Sequence, residues 1–213
     1  VCLSSLSQTS IRLPDIISSG MVLQQQTEVK IWGKATPGSR ISIHTDWTRK
    51  DISTEADADS TWFLRVTTPK ASWHQHVIAL RENGNATTQV VLSNVLIGEV
   101  WFCSGQSNME MFLNGFGGCP IDGANEEIAT AAEWAGRIRM ANVPKTGNTE
   151  PQEWVSGCKW NVPDVNTAPW MSAAAWHFAK MLTRTLQVPV GIISCAWGGS
   201  RVEGWLPRNI LES

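Results

Sequence analysis

The chain has 213 residues and a formal net charge of −2 at pH 7, with 17 Lys and Arg against 19 Asp and Glu. This length allows one large domain or two small ones, each able to bury a core. The scattered basic residues give no footprint for nucleic acid. No apolar run reaches the roughly 20 residues that span a bilayer. We therefore expect a small-molecule or glycan partner, with neither nucleic-acid binding nor membrane insertion.

The first ten residues have the composition of the end of a secretory leader whose apolar core would lie upstream. A polar tail would have the same composition, so both interpretations of residues 1–10 stay open. The leader interpretation predicts an exported protein: secreted, lysosomal or periplasmic. In such a compartment the sequon Asn85-Ala-Thr87 would be an N-glycosylation site.

The chain has five cysteines, of which Cys2 lies in the possible leader and the other four fall into two groups. Cys119 and Cys158 lie in predicted loops, where they could form a disulfide in an oxidising compartment. Cys103 and Cys195 lie in or beside apolar strands, where a buried free thiol is expected.

Residues 11 to about 92 alternate polar and apolar side chains in short runs separated by turn residues, a pattern typical of all-β domains. Asn83-Gly84 gives the strongest hairpin signal, because both residues tolerate positive φ. We predict a β-sandwich over residues 11–97. Its expected strands are 28–32, 40–44, 61–66, 76–80 and 87–92.

From residue 98 the alternation stops, and buried strands alternate with helices as in βαβ units. The expected strands are 100–103, 138–143 and 190–195, and the expected helices are 125–134 and 171–186. The chain is thus predicted to be multidomain, β followed by α/β. The second predicted helix places one set of apolar residues on a single face: Ala175, Phe178, Ala179, Leu182 and Leu186.

Ser107 is predicted to lie where the first of these strands ends and a helix begins. Gly105 frees the backbone to turn sharply there. Open α/β sheets bind ligands at this edge, and a helix N-terminus offers unpaired N–H groups to an oxyanion. An ordinary N-cap serine is the alternative that the local turn alone favours. The pattern lacks the final Gly of G-x-S-x-G, so an α/β-hydrolase elbow is not supported.

The longer string Gly98-Glu-Val-Trp-Phe-Cys-Ser-Gly-Gln-Ser-Asn-Met109 closely resembles the nucleophile block of the sialate O-acetylesterase family. The catalytic domain of that family is of the SGNH-hydrolase type, a flavodoxin-like α/β/α fold. The resemblance implies a carbohydrate O-acetylesterase without a cofactor, in which Ser107 is the nucleophile. Gln106 and Asn108 would then help to form the pocket. The β region resembles the family's N-terminal β domain through segments 20–24, 31–33 and 36–38.

Residues 188–200 resemble a second block of the family, whose glycine donates a backbone N–H to the oxyanion hole. In this chain the donor could be Gly198 or Gly199, together with the N–H of Ser107. A loop that needs glycine only for its backbone is the alternative. Trp197 and Glu203 are further candidates for the pocket, and a structural role is equally open for Glu203.

A serine nucleophile needs a base, usually a His that is oriented by a carboxylate. In the family these residues form an Asp-x-x-His block late in the catalytic domain, and a Gln-Gly-Glu segment completes the oxyanion hole. Neither block occurs here. His177 is the only His after Ser107, and its place within a helix favours packing or solvation. The resemblance therefore covers only the N-terminal part of the family's sequence. Residues 98–213 would form the first half of an SGNH-like domain, and the C-terminal half of that domain would be missing.

Three functions stay open. The first is a sialate O-acetylesterase, whose substrate would be an O-acetylated sugar or sialoglycan. The second is a polysaccharide acetylesterase of the xylan type from the same superfamily. The third is a carbohydrate-binding or interaction protein without a complete triad.

No metal site is expected from the sequence, because it has no CxxC pair or HExxH motif. His74 and His76 would share one face of a strand. The sequence indicates no third ligand beside them.

Overall fold

The computed structural model describes residues 9–148, 150 and 152–211, so residues 1–8 of the predicted leader or tail lie outside the described residues. A mixed eight-stranded sheet forms its frame, and a separate two-stranded sheet and several helices pack on it. The strands are β1 (Val22–Gln24), β2 (Glu28–Lys34), β3 (Arg40–Thr45), β4 (Ile52–Glu55), β5 (Thr61–Thr67), β6 (Ser72–Glu82), β7 (Val90–Gly105), β8 (Ile138–Asn142), β9 (Trp160–Asn161) and β10 (Val190–Ala196). The α-helices are α1 (Ser107–Glu110), α2 (Ala124–Ala129), α3 (Ala173–Leu186) and α4 (Arg208–Leu211).

In the N-terminal region two sheets enclose one hydrophobic core. β3 pairs with β4 and β6, and β6 pairs with β7, all antiparallel, while β2 and β5 form the two-stranded sheet. Ile41 and Ile43 of β3 face inward and meet Ile31 of β2 and Trp62 of β5 in the same cluster. Alternate side chains of a strand point to one face of its sheet, so the apolar residues of the alternating pattern are buried together in the core between the two sheets.

The predicted strands of this region are present, although the last begins three residues later than predicted. Residues Ala86–Thr88 form a short 3-10 turn, and β7 begins only at Val90. The predicted Asn83-Gly84 turn joins β6 to this segment, with both residues at positive φ (50° and 73°). The short strands β1 and β4 were not predicted.

β7 joins the two regions of the chain. Its first half pairs antiparallel with β6, β1 adds a parallel contact as far as Gly98, and its second half pairs parallel with β10. The predicted boundary between residues 97 and 98 falls inside this strand, so the sheet continues across it. Separate hydrophobic clusters lie on the two sides. The division into 11–97 and 98–213 stays a prediction.

In the second region β10 lies between β7 and β8, and both pairings are parallel. The predicted strands and helices are found here with small changes of length, except that the first strand is the second half of the much longer β7. The helix predicted at 125–134 is α2 followed by a 3-10 turn over Ala131–Trp134. The short edge strand β9 was not predicted. Together the two regions form a sheet-dominated α/β structure.

The predicted apolar face of α3 was partly wrong. Ala175 and Ala179 are buried, but Leu186 is exposed, and the side chains of Trp176 and Lys180 are buried instead. Glu127 of α2 explains the change, because its Oε2 accepts from Lys180 Nζ at 2.5 Å and from Trp176 Nε1 at 2.8 Å. A paired and hydrogen-bonded charge can be buried where an isolated one would not be.

Among the described residues, no helix combines the length and the apolar character that crossing a bilayer requires.

Candidate active site

Ser107 lies at the junction that the sequence predicted. It is the first residue of α1, two residues after the end of β7, and its side chain is exposed. Gly105 has φ of +152°, and a Cβ built there would lie 3.3 Å from the Cβ of Met109. The turn therefore requires glycine for its backbone conformation.

The second glycine turn lies directly beside the first. β10 ends at Ala196, and the N–H of Trp197 donates to the carbonyl of Gly105 at 3.0 Å. A Cβ built on Gly198 would lie 3.5 Å from Ser107 Oγ. The two turns meet because β7 and β10 are neighbouring parallel strands, whose carboxyl ends lie at one edge of the sheet. A Cβ on Gly199, at φ +75°, would contact nothing within 4 Å.

Glu110 connects the two turns. Its carboxylate is buried, accepts the N–H of Gly198 at Oε2 and pairs with Lys145 Nζ at Oε1. Burial by itself raises the pKa of Glu110. The hydrogen bonds from Lys145 and Gly198 and the charge of Lys145 more than offset this effect, so the pKa lies below its ordinary value.

The sequence interpretation missed both Glu110 and Lys145. The available signal was the position of Glu110 three residues after Ser107, a spacing that places two side chains on one side of a helix.

The immediate partner of the Ser107 hydroxyl is Gln106, since Oγ donates to Gln106 Oε1 at 3.2 Å. Within the described residues, no His or carboxylate accepts a hydrogen bond from Ser107. His177 is exposed on α3. The structure therefore does not place His177 as the base for Ser107.

An open cleft of about 520 Å³ runs past Ser107. Gln106 and Asn108 line it, and Ala174 of α3 forms another part of its wall. The role of Gln106 and Asn108 as substrate-pocket residues stays a prediction. A smaller cleft of about 230 Å³ includes Glu110. Trp197 and Glu203 line neither of these two clefts; Glu203 is exposed in a 3-10 turn, Val202–Trp205.

Cys119 and Cys158 are both free thiols in this structure, which corrects the predicted disulfide between them. Cys119 is exposed in the turn that follows Phe116, whereas Cys158 is buried. Burial, together with the neighbouring Cys195 and Asp15, raises the pKa of Cys158 to about 11.

The other two cysteines that the structure describes are also free. Cys103 and Cys195 are half-buried rather than fully buried, and burial raises the pKa of each thiol.

The sequon residue Asn85 is exposed and caps the 3-10 turn before β7. Its Oδ1 accepts the N–H of Thr87 at 2.9 Å and the hydroxyl of Thr87 at 2.7 Å. Its exposure leaves the side chain accessible, and glycosylation there stays a prediction.

No family model matches the chain. Three similar proteins nevertheless cover 95% of it. The curated sialate O-acetylesterases of Mus musculus and Homo sapiens are 28% and 30% identical to it over 214 and 215 residues. Nearly the whole chain is homologous to sialate O-acetylesterases. The crystal structure of a carbohydrate acetylesterase from Xanthomonas citri matches with 29% identity and a TM-score of 0.85.

The homology covers only part of each relative. The chain spans 38% of the mouse sialate O-acetylesterase, 40% of the human one and 43% of the Xanthomonas citri chain. The resemblance found in the two glycine blocks thus extends along the whole described fold, whereas most of each relative's length lies outside the match.

Proposed function

We propose that this chain is the N-terminal part of a carbohydrate O-acetylesterase in which Ser107 attacks the acetyl carbonyl. The observation that carries the proposal is the position of Ser107 Oγ beside the backbone of Gly198, at the carboxyl ends of two neighbouring parallel strands. The names of the sialate O-acetylesterase relatives and of the Xanthomonas citri carbohydrate acetylesterase support the same chemistry. The names of the sialate O-acetylesterase relatives are the only reason to prefer acetylated sialic acid to acetylated xylan as the substrate.

In this proposal Ser107 forms an acetyl-enzyme. Its Oγ adds to the ester carbonyl, the sugar alcohol leaves with the proton taken by a base, and water then releases acetate. Backbone N–H groups stabilise the oxyanion that forms during each step. The N–H of Ser107 at the start of α1 is one candidate donor.

The second donor depends on Glu110. The N–H of Gly198 must leave the Glu110 carboxylate before it can serve an oxyanion. The N–H of Gly199, in contrast, makes no hydrogen bond within the part of the chain that the structure describes. Gly199 is therefore available without a rearrangement, and Gly198 becomes available only if Glu110 moves.

We assign the base to the remainder of an SGNH-type domain, whose front part is residues 98–213. Two observations support this assignment. The relatives are about two and a half times as long as the match. In addition, Trp101 and Phe102 on the second half of β7 are exposed, and within the described residues only β10 pairs with that half. A strand edge with large exposed apolar side chains is typical of a surface that another element covers.

The finer architecture belongs to the same proposal. Residues 11–97 would form a β-sandwich that docks the catalytic domain. The protein would be exported, as the leader-like residues 1–10 and the exposed sequon at Asn85 indicate.

The decisive experiment joins the chain to the sequence that follows residue 213 in its reading frame and replaces Ser107 by Ala. We expect kcat for p-nitrophenyl acetate to fall at least about a thousandfold, the scale of triad knockouts, without a change in melting temperature. Ser104→Ala, an exposed serine three residues earlier, is the matched control and should keep full activity. A Ser107→Ala variant that keeps more than about a thousandth of kcat would end the assignment. Acetylated sialic acid and acetylated xylan, assayed in parallel, separate the two substrate classes.

A catalytically incomplete carbohydrate-binding protein is the second candidate. Two features of the site favour this candidate. Ser107 has no base among the described residues, and the N–H of Gly198 donates to the Glu110 carboxylate and not to an oxyanion. A reading frame without an Asp-x-x-His block, together with binding of acetylated sugars without turnover, would support it against the esterase.

A further inference from the structure

A second group of chemically reactive side chains lies in the β region. Asp46 directly follows β3, and His74 and His76 belong to β6. Asp46 Oδ1 lies 2.8 Å from His76 Nδ1, and Asp46 Oδ2 lies 3.8 Å from His74 Nε2. One ligand atom of each residue lies within 4.8 Å of the other two. The sequence indicated only the two histidines, because the third residue arrives through the pairing of β3 with β6.

We propose that Asp46, His74 and His76 form a zinc site. Two imidazole nitrogens and one carboxylate oxygen are a set of three protein ligands that Zn²⁺ takes, with water at the fourth position. Zinc bonds of about 2.0–2.2 Å place the ligand atoms of a tetrahedral site about 3.3 Å apart. The present spread of 4.8 Å must therefore shrink by roughly 1.5 Å. His74 can make this movement, because 67% of its side chain is exposed.

The other two ligands are already held in place. Asp46 Oδ2 accepts the N–H of Val77 at 2.9 Å, and the N–H of Asp46 donates to the carbonyl of Val77 at 3.2 Å. His76 is buried, with the Trp47 ring edge-on at 5.0 Å. The pairing of β6 with β7 shifts register on both sides of His76, and such irregularities re-aim side chains next to functional sites. Ligands fixed before binding lower the ordering cost of binding.

The nitrogen of His76 that would bind the ion is Nδ1, because Nδ1 faces Asp46. Nε2 lies on the opposite side of the ring. It is buried without a hydrogen-bond partner within the described residues and takes no part in the proposed site.

The arrangement differs from the other His–Asp pair of this sheet. His44 Nδ1 lies 2.7 Å from Asp51 Oδ1, a contact as short as that between His76 and Asp46. The described residues bring no third His, Cys or carboxylate ligand to that pair. His44 and Asp51 therefore show what a purely structural pair looks like in the same sheet, and they provide a matched control.

The test uses the full 213-residue chain after treatment with a chelator. Zn²⁺ is titrated in competition with a chromophoric chelator, and Co²⁺ absorption reports the ligand set. We expect one Zn²⁺ per chain, at least tenfold weaker binding in His74→Ala, and weaker binding in Asp46→Asn. His44→Ala should bind as tightly as the parent chain. Because His76→Ala could disturb the core, the exposed His74 gives the decisive variant.

Three outcomes would overturn the proposal. The first is the absence of stoichiometric Zn²⁺ binding in the parent chain. The second is unchanged binding in His74→Ala when circular dichroism shows the same fold. The third is a thiolate charge-transfer band with Co²⁺ that disappears after alkylation, because the ion would then be bound by cysteines.

Discussion

Gly98 lets β7 and the residue before β10 approach more closely than any side chain would allow. A Cβ built on Gly98 lies 2.0 Å from the carbonyl oxygen of Pro189 and 2.7 Å from its carbonyl carbon. Both are backbone atoms, so no side-chain rotation can relieve the clash. The same carbonyl oxygen accepts the N–H of Glu99 at 2.9 Å. Gly98→Ala must therefore separate the two segments by about 1 Å, which overstretches this hydrogen bond.

The cost follows from these two effects. Overpacking of a close contact costs about 1–3 kcal/mol, and a lost backbone hydrogen bond adds about 1 kcal/mol. We expect Gly98→Ala to lower the free energy of unfolding by about 2–4 kcal/mol, a large share of the 5–15 kcal/mol typical of folded proteins. With a urea m-value of about 2 kcal/mol per molar, the midpoint would fall by about 1–2 M.

Gly136→Ala is the matched control, because Gly136 is exposed and a Cβ there would contact nothing within 4 Å. This control should change the free energy of unfolding by no more than about 0.5 kcal/mol. The reasoning would be refuted if the two variants unfolded at the same urea concentration, since the close approach of Gly98 to Pro189 would then carry no energy.

Two further predictions concern titratable groups. Because the pKa of Glu110 in the fold lies below its ordinary value of 4.5, its charge stabilises the fold above that value and loses this effect as the pH falls through the folded pKa. Urea unfolding should therefore show a deficit of Glu110→Gln at pH 7 that shrinks below pH 4.5, and a deficit independent of pH would contradict the role of the charge. In native alkylation followed by mass mapping, the exposed Cys119 should react first and the buried Cys158, with its pKa of about 11, last. Recovery of a peptide that links Cys119 to Cys158 would instead restore the disulfide hypothesis.

Local features of the fold could be predicted from the sequence. The two periodicities gave most of the strands and helices, because period 2 and period 3.6 directly reflect side-chain geometry. The Ser107 turn could be located because strand, glycine and helix start follow one another within a few residues. The Asn83-Gly84 turn could be predicted for the same reason, because its signal lies in two adjacent residues.

Contacts between distant segments could not be predicted in this way. Lys180 has the sequence position of a surface residue, and only its contact with Glu127, 53 residues away, explains its burial. Glu110 meets Gly198, 88 residues away, and Asp46 meets His76, 30 residues away. The sequence also did not predict that β7 is one strand of 16 residues. Its first half pairs with β6 and its second half with β10, so the pattern of buried and exposed residues changes in the middle and resembles two separate strands.

The change of partners within β7 also determines when the site can exist. The antiparallel partner of β7 precedes it by a short turn, whereas Glu99 pairs with Val190, about 90 residues further along the chain. Pairings between such distant residues are the slow, non-local events of folding. A chain growing from its N-terminus therefore exposes Ser107 long before β10 is synthesised. During that interval the serine has no neighbouring glycine turn, so its geometry is a property of the assembled sheet and not of its own segment.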